Sequence, residues 1–317
     1  MHGVSDMKFA FVFPGQGSQA VGMLDVWAGT PAAQAVMSEA DAALNEDLSG
    51  LIARGPIEQL NLTTNTQPAM LAASLAVLAA WRAAAGPEPL VMAGHSLGEY
   101  AALTAAGVMD LADAVRLVRV RADAMQAAVP IGTGAMAAIL GLEDDAVLAV
   151  CEQASHGEVV EAVNFNAPSQ VVIAGHRAAV ERAMENAKAA GAKRAVLLPV
   201  SAPFHASLLK PAAAVLAQAL SHVTLRKPQI PVIQNVDVQM HQDPTEIVQA
   251  LVDQAWHPVR WVQTIEAMAQ QGVTHIVECG PGKVLSGLVK RIDASLVALS
   301  VNDPASLQAA IETLNNS

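Results

Sequence analysis

The feature that most constrains the fold is a short glycine-flanked segment between an apolar run and a helix-like run. Residues 94–98 read GHSLG, follow the apolar residues 89–93 and precede the helix-like residues 99–103. A strand, a tight turn and a helix in this order form the context of a nucleophile elbow, and the glycines permit its strained backbone. Ser96 is therefore a candidate nucleophile, and the amide of Leu97 faces an oxygen on the attacked carbon. An ordinary strand-to-helix turn is the alternative interpretation.

Length and composition indicate a globular chain with one large domain, or a large domain and a smaller one. The chain has 317 residues, of which 53% are hydrophobic, enough for a sizeable core. Its apolar runs fall short of the roughly 18 uninterrupted residues that a membrane span needs. Residues 1–6 carry no basic group ahead of the first apolar run, so that run predicts a strand and not a signal peptide. We expect a cytoplasmic protein.

The net charge argues against some classes of partner, and the cysteine spacing argues against a metal site. The formal net charge of −11 argues against binding to nucleic acid or to an anionic membrane, because the global field repels both. An acidic partner would need a local basic patch. Cys151 and Cys279 lie far apart without metal-ligand spacing, so we expect buried small hydrophobes and no metal site.

The large domain is predicted to be an α/β structure with a parallel sheet. Residues 8–13 form an apolar run that ends at a Pro-Gly turn, as a buried strand does. The helical pattern before the next strand predicts a crossover and hence parallel pairing. Loops at the carboxyl ends of such strands bind ligands, which places Gln16 and Ser96 together. The other predicted elements of this domain are helices at 34–44 and 67–84, strands at 232–235 and 275–278, and a helix at 305–314.

A different rhythm from residue 131 to residue 200 predicts an inserted small domain. Its order is βαββαβ, which matches the ferredoxin-like unit. The large domain would then comprise residues 1–130 and 201–317. The predicted elements are strands at 135–140, 159–164, 170–174 and 195–200, and helices at 143–154 and 177–190.

A serine hydroxyl needs a base to accept its proton at neutral pH. His205 is the best-placed histidine, because it follows a predicted strand and the turn at Pro203. His257 is a weaker alternative, and His95 is expected on the opposite side of the turn with local contacts. The acids at 143–145 open a helix and are interpreted as helix N-terminal charges. Without a convincing third carboxylate, a backbone carbonyl could orient the imidazole instead.

Five motifs in order along the chain carry a family resemblance. They are FPGQGSQ at 13–19, GHSLGEY at 94–100, VNFN at 163–166, the Phe204-His205 pair, and ECGPGK at 278–283. Together they resemble the malonyl-CoA:acyl carrier protein transacylases of bacterial type II fatty acid synthesis, from Lys8 to about the C-terminus. The resemblance implies an α/β-hydrolase-like large domain with a ferredoxin-like insert, which agrees with the pattern-based prediction.

The resemblance also implies roles for individual residues. Ser96 corresponds to the acylated nucleophile and His205 to its general base. The backbone amides of Gln16 and Leu97 correspond to the oxyanion-hole donors. The main-chain carbonyl that orients the imidazole corresponds to Gln254, which would account for the missing carboxylate.

Arg121 corresponds to the arginine that grips the malonyl carboxylate. Its planar fork can bind a carboxylate through two parallel hydrogen bonds, although a basic run on a helix is more commonly a solvated face. Arg116 and Arg119 share one helix face, whereas Arg121 projects from another. We therefore expect the first two at the surface and the third pointing inward.

The cleft is expected to include four further residues. Asn164 and Asn166 resemble a family loop near the active site, with turn formation before Pro168 as the alternative. Met125 and Phe204 are the other two candidates. Phe204 departs from the bacterial pattern and resembles malonyl-selective acyltransferase domains of polyketide and animal fatty acid synthases. Its bulky ring leaves little room for a 2-methyl branch, which selects by roughly 1 to 3 kcal/mol.

The resemblance implies a ping-pong transfer from malonyl-CoA to the phosphopantetheine thiol of acyl carrier protein, with no bound cofactor. This transfer supplies extender units for fatty acid biosynthesis. We also expect the protein to be a monomer. A serine hydrolase or thioesterase is the first alternative. An acyltransferase of a polyketide or malonate decarboxylase system is the second, and a catalytically silent carrier-protein-binding module is the third.

Overall fold

Two sheets of different kinds organise the chain, which is seen here as a computed structural model describing residues 7–200 and 202–316. The strands are β1 (Phe9–Phe13), β2 (Val91–Gly94), β3 (Gly134–Leu140), β4 (Val160–Ala167), β5 (Gln170–His176), β6 (Arg194–Leu197), β7 (Val232–Ile233), β8 (His275–Cys279) and β9 (Val297–Val301). The helices are α1 (Pro31–Leu44), α2 (Leu48–Arg54), α3 (Ile57–Leu60), α4 (Thr63–Ala83), α5 (Gly98–Ala105), α6 (Leu111–Ala127), α7 (Asp144–Ser155), α8 (Arg177–Ala189), α9 (Lys210–Leu220), α10 (Pro244–Gln254), α11 (Trp261–Gln270), α12 (Val284–Ile292) and α13 (Pro304–Asn315). Two short 3-10 helices span Asp25–Trp27 and Ser207–Leu209.

The larger sheet is parallel, with the strand order β7-β2-β1-β8-β9. Every residue of β1 is buried, as expected for a central strand of a parallel sheet that carries helices on both faces. The predicted α/β class with a parallel sheet is confirmed. The carboxyl ends of β1 and β2 lie side by side, since Phe13 pairs with Gly94, so the loops carrying Gln16 and Ser96 start at the same sheet edge.

Some predicted boundaries were wrong. The sequence reading missed β9, a five-residue edge strand whose first residue is exposed; a half-exposed edge strand lacks the continuous apolar run that marks β1. The predicted strand at 195–200 ends at Leu197, although the main-chain NH of Leu198 still donates to the carbonyl of Met136 in β3. The predicted strand at 232–235 shortens to two residues. Glu143 directly precedes α7, and Asp144 and Asp145 lie in its first turn, as predicted.

The smaller sheet is antiparallel, with the order β4-β5-β3-β6. One of its faces packs against α7 and α8 in a separate apolar cluster that includes Ile139, Val147, Ile173 and Val180. Residues of its other face, such as Met136, belong to the main core. The small sheet is therefore covered on both faces, by α7 and α8 on one face and by the main core on the other.

Strand β4 also bonds directly to segments that follow the small sheet in sequence. Val259 donates to the carbonyl of Val163, and Phe165 donates to the carbonyl of Val259. The carboxylate of Glu161 accepts two hydrogen bonds from Ser207, one from its main-chain NH and one from its hydroxyl, each at 2.7 Å. This pair of bonds joins the small sheet to the loop that carries His205.

Within the part of the chain that the structure describes, no helix combines the length and the apolar character needed to cross a bilayer. The expectation about a signal peptide depends on residues 1–6, which lie outside the described residues. Both cysteines, Cys151 and Cys279, are buried free thiols, as predicted.

Candidate active site

The turn after β2 is built from glycines that leave no space for a side chain. Gly94 ends β2 and Gly98 begins α5. A Cβ on Gly94 would lie 1.8 Å from the carbonyl oxygen of Gly98, and a Cβ on Gly98 would lie 2.1 Å from that of Phe13. Between them Ser96 has a φ of +53°, in the left-handed region that residues other than glycine rarely adopt. The predicted strand, turn and helix around Ser96 are confirmed.

The imidazole of His205 contacts the hydroxyl of Ser96. Nε2 of His205 lies 2.7 Å from Oγ of Ser96, and Nδ1 lies 2.7 Å from the main-chain carbonyl oxygen of Gln254. A carbonyl oxygen only accepts hydrogen bonds, so Nδ1 carries the proton and Nε2 presents a lone pair to the hydroxyl. The carbonyl of Gln254 thus selects the tautomer of His205 that can accept a proton.

Burial keeps His205 uncharged. Burial, and after it the nearby positive charge of Arg121, lower the pKa of His205 from 6.5 to about 3. At neutral pH the imidazole is therefore a free base. The backbone of His205 is also left-handed, with a φ of +65°, so both members of the Ser96–His205 pair sit on turns of uncommon conformation, as residues at functional sites often do.

Arg121 is a buried cation with neutral hydrogen-bond partners. Its side chain on α6 is only 2% exposed. Nη1 donates to Oε1 of Gln67 at 2.6 Å, while Nη2 donates to Oε1 of Gln254 at 2.9 Å and to Oγ of Ser96 at 3.1 Å. Among the described residues, no carboxylate lies within 4 Å of its guanidinium nitrogens. A buried guanidinium without an acid is suited to bind an incoming carboxylate.

The other arginines of α6 differ from each other. Arg116 is exposed, with 56% of its side chain accessible, as predicted. Arg119 is less exposed than predicted, since its side chain is only 19% accessible, although its bond to Glu46 lies at the surface. It pairs with Glu46 at 2.5 Å and donates to Asn65 at 3.2 Å, because α6 packs against other helices on more than one face.

A cavity of about 120 Å³ brings most of the predicted site residues together. A second cavity, of about 310 Å³, shares Gln16, Val200 and Phe204 with it, so the two adjoin at these residues. The predicted residues lining the first cavity are Gln16, Ser96, Arg121, Met125, Asn164, Phe204 and His205. The lining residues that sequence analysis missed are His95, Met136, Leu198 and Val200.

Three predicted residues, Leu97, Asn166 and Gln254, are absent from this lining. Leu97 is buried immediately before α5, where main-chain NH groups have no acceptor within the helix. Gln254 is fully buried, and its main-chain carbonyl accepts the hydrogen bond from Nδ1 of His205. The side chain of Gln16 is itself held, since its Oε1 accepts from Thr63 at 2.8 Å and from Gln67 at 3.4 Å.

His95 and His257 have roles other than those first considered. The expectation that His95 turns away with local contacts was wrong: it lines the same cavity as Ser96. Its Nε2 lies 2.7 Å from Oδ1 of Asn166, which is 71 residues away in sequence, and burial lowers its pKa. His257, the alternative base, contacts the carbonyl of Asp253 at 2.8 Å and is absent from the lining.

Comparisons with known proteins identify the family. The acyl transferase domain family matches residues 10–302. The malonyl CoA-acyl carrier protein transacylase of Escherichia coli (strain K12) is 55% identical over 306 residues, which are 96% of this chain and 99% of that protein. A crystal structure of acyl-carrier-protein S-malonyltransferase from Burkholderia pseudomallei 1710b is 59% identical, with a TM-score of 0.95 over 96% of this chain and 100% of that one.

A third relative is a complex. A malonyl-transacylase solved with a type II PKS acyl-carrier protein is 51% identical to this chain, with a TM-score of 0.95 over 96% of this chain and 99% of that one. The relatives are matched along nearly their whole length, at identities far above those that show only a shared fold. The chain belongs to the malonyl CoA-acyl carrier protein transacylase family.

Proposed function

We propose that the protein transfers the malonyl group of malonyl-CoA to the phosphopantetheine thiol of acyl carrier protein, through a malonyl ester on Ser96, and so supplies extender units for fatty acid biosynthesis. The proposal rests above all on the two polar contacts of one hydroxyl. The Oγ of Ser96 lies within hydrogen-bond distance of a neutral base, His205, and of a cation, Arg121, that has no carboxylate partner among the described residues. Relatives named for this reaction agree with it.

Acylation begins with proton transfer. Oγ of Ser96 attacks the thioester carbonyl while Nε2 of His205 takes the hydroxyl proton. The carbonyl oxygen becomes an oxyanion, which the main-chain amides of Gln16 and Leu97 are proposed to bind. Each such donor contributes about 3 kcal/mol to transition-state stabilisation. Collapse breaks the carbon–sulfur bond, and coenzyme A leaves as a thiol with the proton that His205 held.

Deacylation repeats these steps with a different acceptor. His205 takes the proton of the carrier protein's thiol, whose sulfur attacks the malonyl ester on Ser96. The same two amides bind the second oxyanion. The carbon–oxygen bond breaks, Oγ of Ser96 regains the proton from His205, and a malonyl thioester leaves. The two half-reactions use one base and one nucleophile, with the protein's own side chains and the two substrates.

The cavity residues set which acyl group fits. Arg121 would hold the malonyl carboxylate, for which its present neutral partners leave no competing acid. Phe204 lines both cavities, so its ring would crowd a 2-methyl branch on the acyl group. Met125, Asn164 and Asn166 would complete the cleft, the last through its bond to His95.

We also propose an α/β-hydrolase-like large domain that carries a ferredoxin-like insert. The separate apolar cluster of the small sheet and its antiparallel β4-β5-β3-β6 order support this division. The insert would span residues 131–200, and the large domain would comprise 1–130 and 201–317.

The fate of the acyl group tests the proposed function. On brief mixing with malonyl-CoA, we expect a mass increase of one malonyl group, measured on the intact protein. The adduct should persist without a thiol acceptor and disappear when phosphopantetheinylated acyl carrier protein is added. Absence of any adduct would overturn the proposal. Rapid loss of the group to water without an acceptor would identify a hydrolase or thioesterase instead.

The pH dependence of acylation tests the role of His205. Since burial lowers the pKa of His205 to about 3, the base stays neutral, and the acylation rate constant should remain flat from about pH 5 to about pH 8. A rapid-quench series measures this rate constant. A tenfold fall per pH unit below 6.5 would contradict the assignment.

Stability has to be followed over the same pH range, because the same shift acts on folding. Below pH 6.5 the unfolded chain binds a proton at this histidine that the folded protein does not. The free energy of unfolding therefore falls as the pH falls, and circular dichroism at each pH separates this loss from a loss of rate.

A further inference from the structure

The loop after β7 places a fully buried amide against the backbone of the nucleophile turn. Asn235 is 0% exposed. Its Oδ1 accepts from the main-chain NH of Ser96 at 2.8 Å, and its Nδ2 donates to the main-chain carbonyl of Gly94 at 2.8 Å. One side chain therefore bonds to both sides of His95, across the tightest part of the turn.

These two bonds fall where the backbone needs support. A left-handed conformation costs a residue like Ser96 energy, and it persists only where the surroundings fix it. Asn235 accepts a hydrogen bond from the Ser96 amide and holds the carbonyl of Gly94 at the end of β2. The two bonds hold the peptide groups on either side of His95, immediately ahead of Ser96, and so help to fix the backbone where it enters the strained conformation.

Glu99 extends this contact to the base. Its Oε2 accepts from the main-chain NH of Asn235 at 2.9 Å and from Nε2 of Gln254 at 3.0 Å. Gln254 in turn donates from the same Nε2 to the carbonyl of Ser96 at 2.9 Å and holds His205 through its own carbonyl. Burial raises the pKa of Glu99 to about 8, so its carboxyl is mostly uncharged at neutral pH. It therefore competes little with a substrate carboxylate for the positive charge of Arg121.

We propose that Asn235 is a positioning residue that fixes the Ser96 backbone, and with it the approach of Oγ to the thioester, without touching substrate. Asn235 is absent from the lining of the catalytic cavity, so its effect must pass through Ser96. The inference rests on the proposed role of Ser96 as the acylated nucleophile.

The test compares two variants of this residue. Asn235→Ala removes both bonds, whereas Asn235→Asp keeps an acceptor for the Ser96 amide and loses the donor to Gly94. Rapid-quench acylation at saturating malonyl-CoA gives a rate constant and a burst amplitude. We expect the rate constant to fall about 100-fold in the alanine variant, the size of effect that a 1 Å misplacement produces, and less in the aspartate variant.

Two readouts separate positioning from stability. A merely destabilised protein loses burst amplitude because fewer molecules are folded, and its rate constant stays at the wild-type value. The dissociation constant for malonyl-CoA, measured in a Ser96→Ala background, should change by less than about threefold, because uniform binding is untouched. The matched control is Asn302→Ala, which also removes an amide bond to a main-chain carbonyl, that of Gly282 at 3.1 Å.

Each outcome decides the matter. Reduced rate constants in both Asn235 variants, with an unchanged Asn302→Ala control, support positioning. Wild-type rate constants in both variants overturn the inference and leave the proposed function intact. If the alanine variant does not fold, the aspartate variant, close in size and shape to asparagine, decides by its own rate constant. Failure of the wild-type protein to form any adduct overturns the proposed function and this inference together.

Discussion

Ser96→Ala is expected to abolish the malonyl adduct and to lower transfer from malonyl-CoA to acyl carrier protein by about 10⁴-fold or more, because residues that act as one catalytic unit fail together when one is removed. The methyl group leaves His205 with no proton to accept. Arg121 loses one of its three hydrogen bonds but keeps those to Gln67 and Gln254, so the fold and the binding of malonyl-CoA should survive. Intact mass and a coupled transfer assay measure the two effects.

An exposed serine provides the matched control. Ser221 directly follows α9, and its hydroxyl donates to the nearby carbonyl of Gln218. Ser221→Ala should form the adduct at the wild-type rate. An adduct that persists in Ser96→Ala, at wild-type rate and amount, would assign the acyl group to another residue.

Arg121→Ala is expected to separate substrates by charge. Malonyl-CoA should lose transfer efficiency by roughly a hundredfold or more, since a buried carboxylate without a partner costs about 3 to 5 kcal/mol. Acetyl-CoA has no carboxylate at this position and should lose far less. The measurement is kcat/KM for both thioesters with the variant and with the wild-type protein. The loss on malonyl-CoA is then compared with the loss on acetyl-CoA.

The control for this variant lies on the same helix. Arg116 is exposed and donates to the carbonyl of Ala43. Arg116→Ala should therefore leave the kcat/KM values for both thioesters unchanged. Equal losses on malonyl-CoA and acetyl-CoA in Arg121→Ala would show that Arg121 only positions Ser96, to which it also donates, and would remove it as the carboxylate anchor.

Local patterns predicted the framework of the site well. An apolar run that ends at a Pro-Gly turn marks β1, and one that ends at Gly94 marks the turn at Ser96. These signals are contained in a few consecutive residues. His205 could be proposed because Pro203 indicates a turn beside it. The carbonyl of Gln254 came only from the family resemblance, because every residue has a carbonyl and no side chain identifies the one that is used.

The missed residues depend on contacts between distant segments. Asn235 lies 139 residues from Ser96 in sequence, and its segment read simply as the end of a strand. Met136 and Leu198 reach the cavity because the small sheet turns one face to the main core, which periodicity cannot reveal. His95 was assigned to the wrong side because its partner, Asn166, belongs to β4, a strand whose placement no local pattern gives.

The two hydrogen bonds that Ser207 donates to Glu161 limit how far this enzyme could be shortened. Ser96, Arg121, His205 and Gln254 all lie outside residues 131–200, so excising that segment removes none of these four residues. Yet Ser207 is two residues from His205, and its NH and hydroxyl both end on a carboxylate of the excised part. We expect a shortened chain to keep Ser96, the proposed nucleophile, on its glycine-packed turn and to lose the two bonds that hold the loop of His205, the proposed base. It would retain both groups without retaining their geometry.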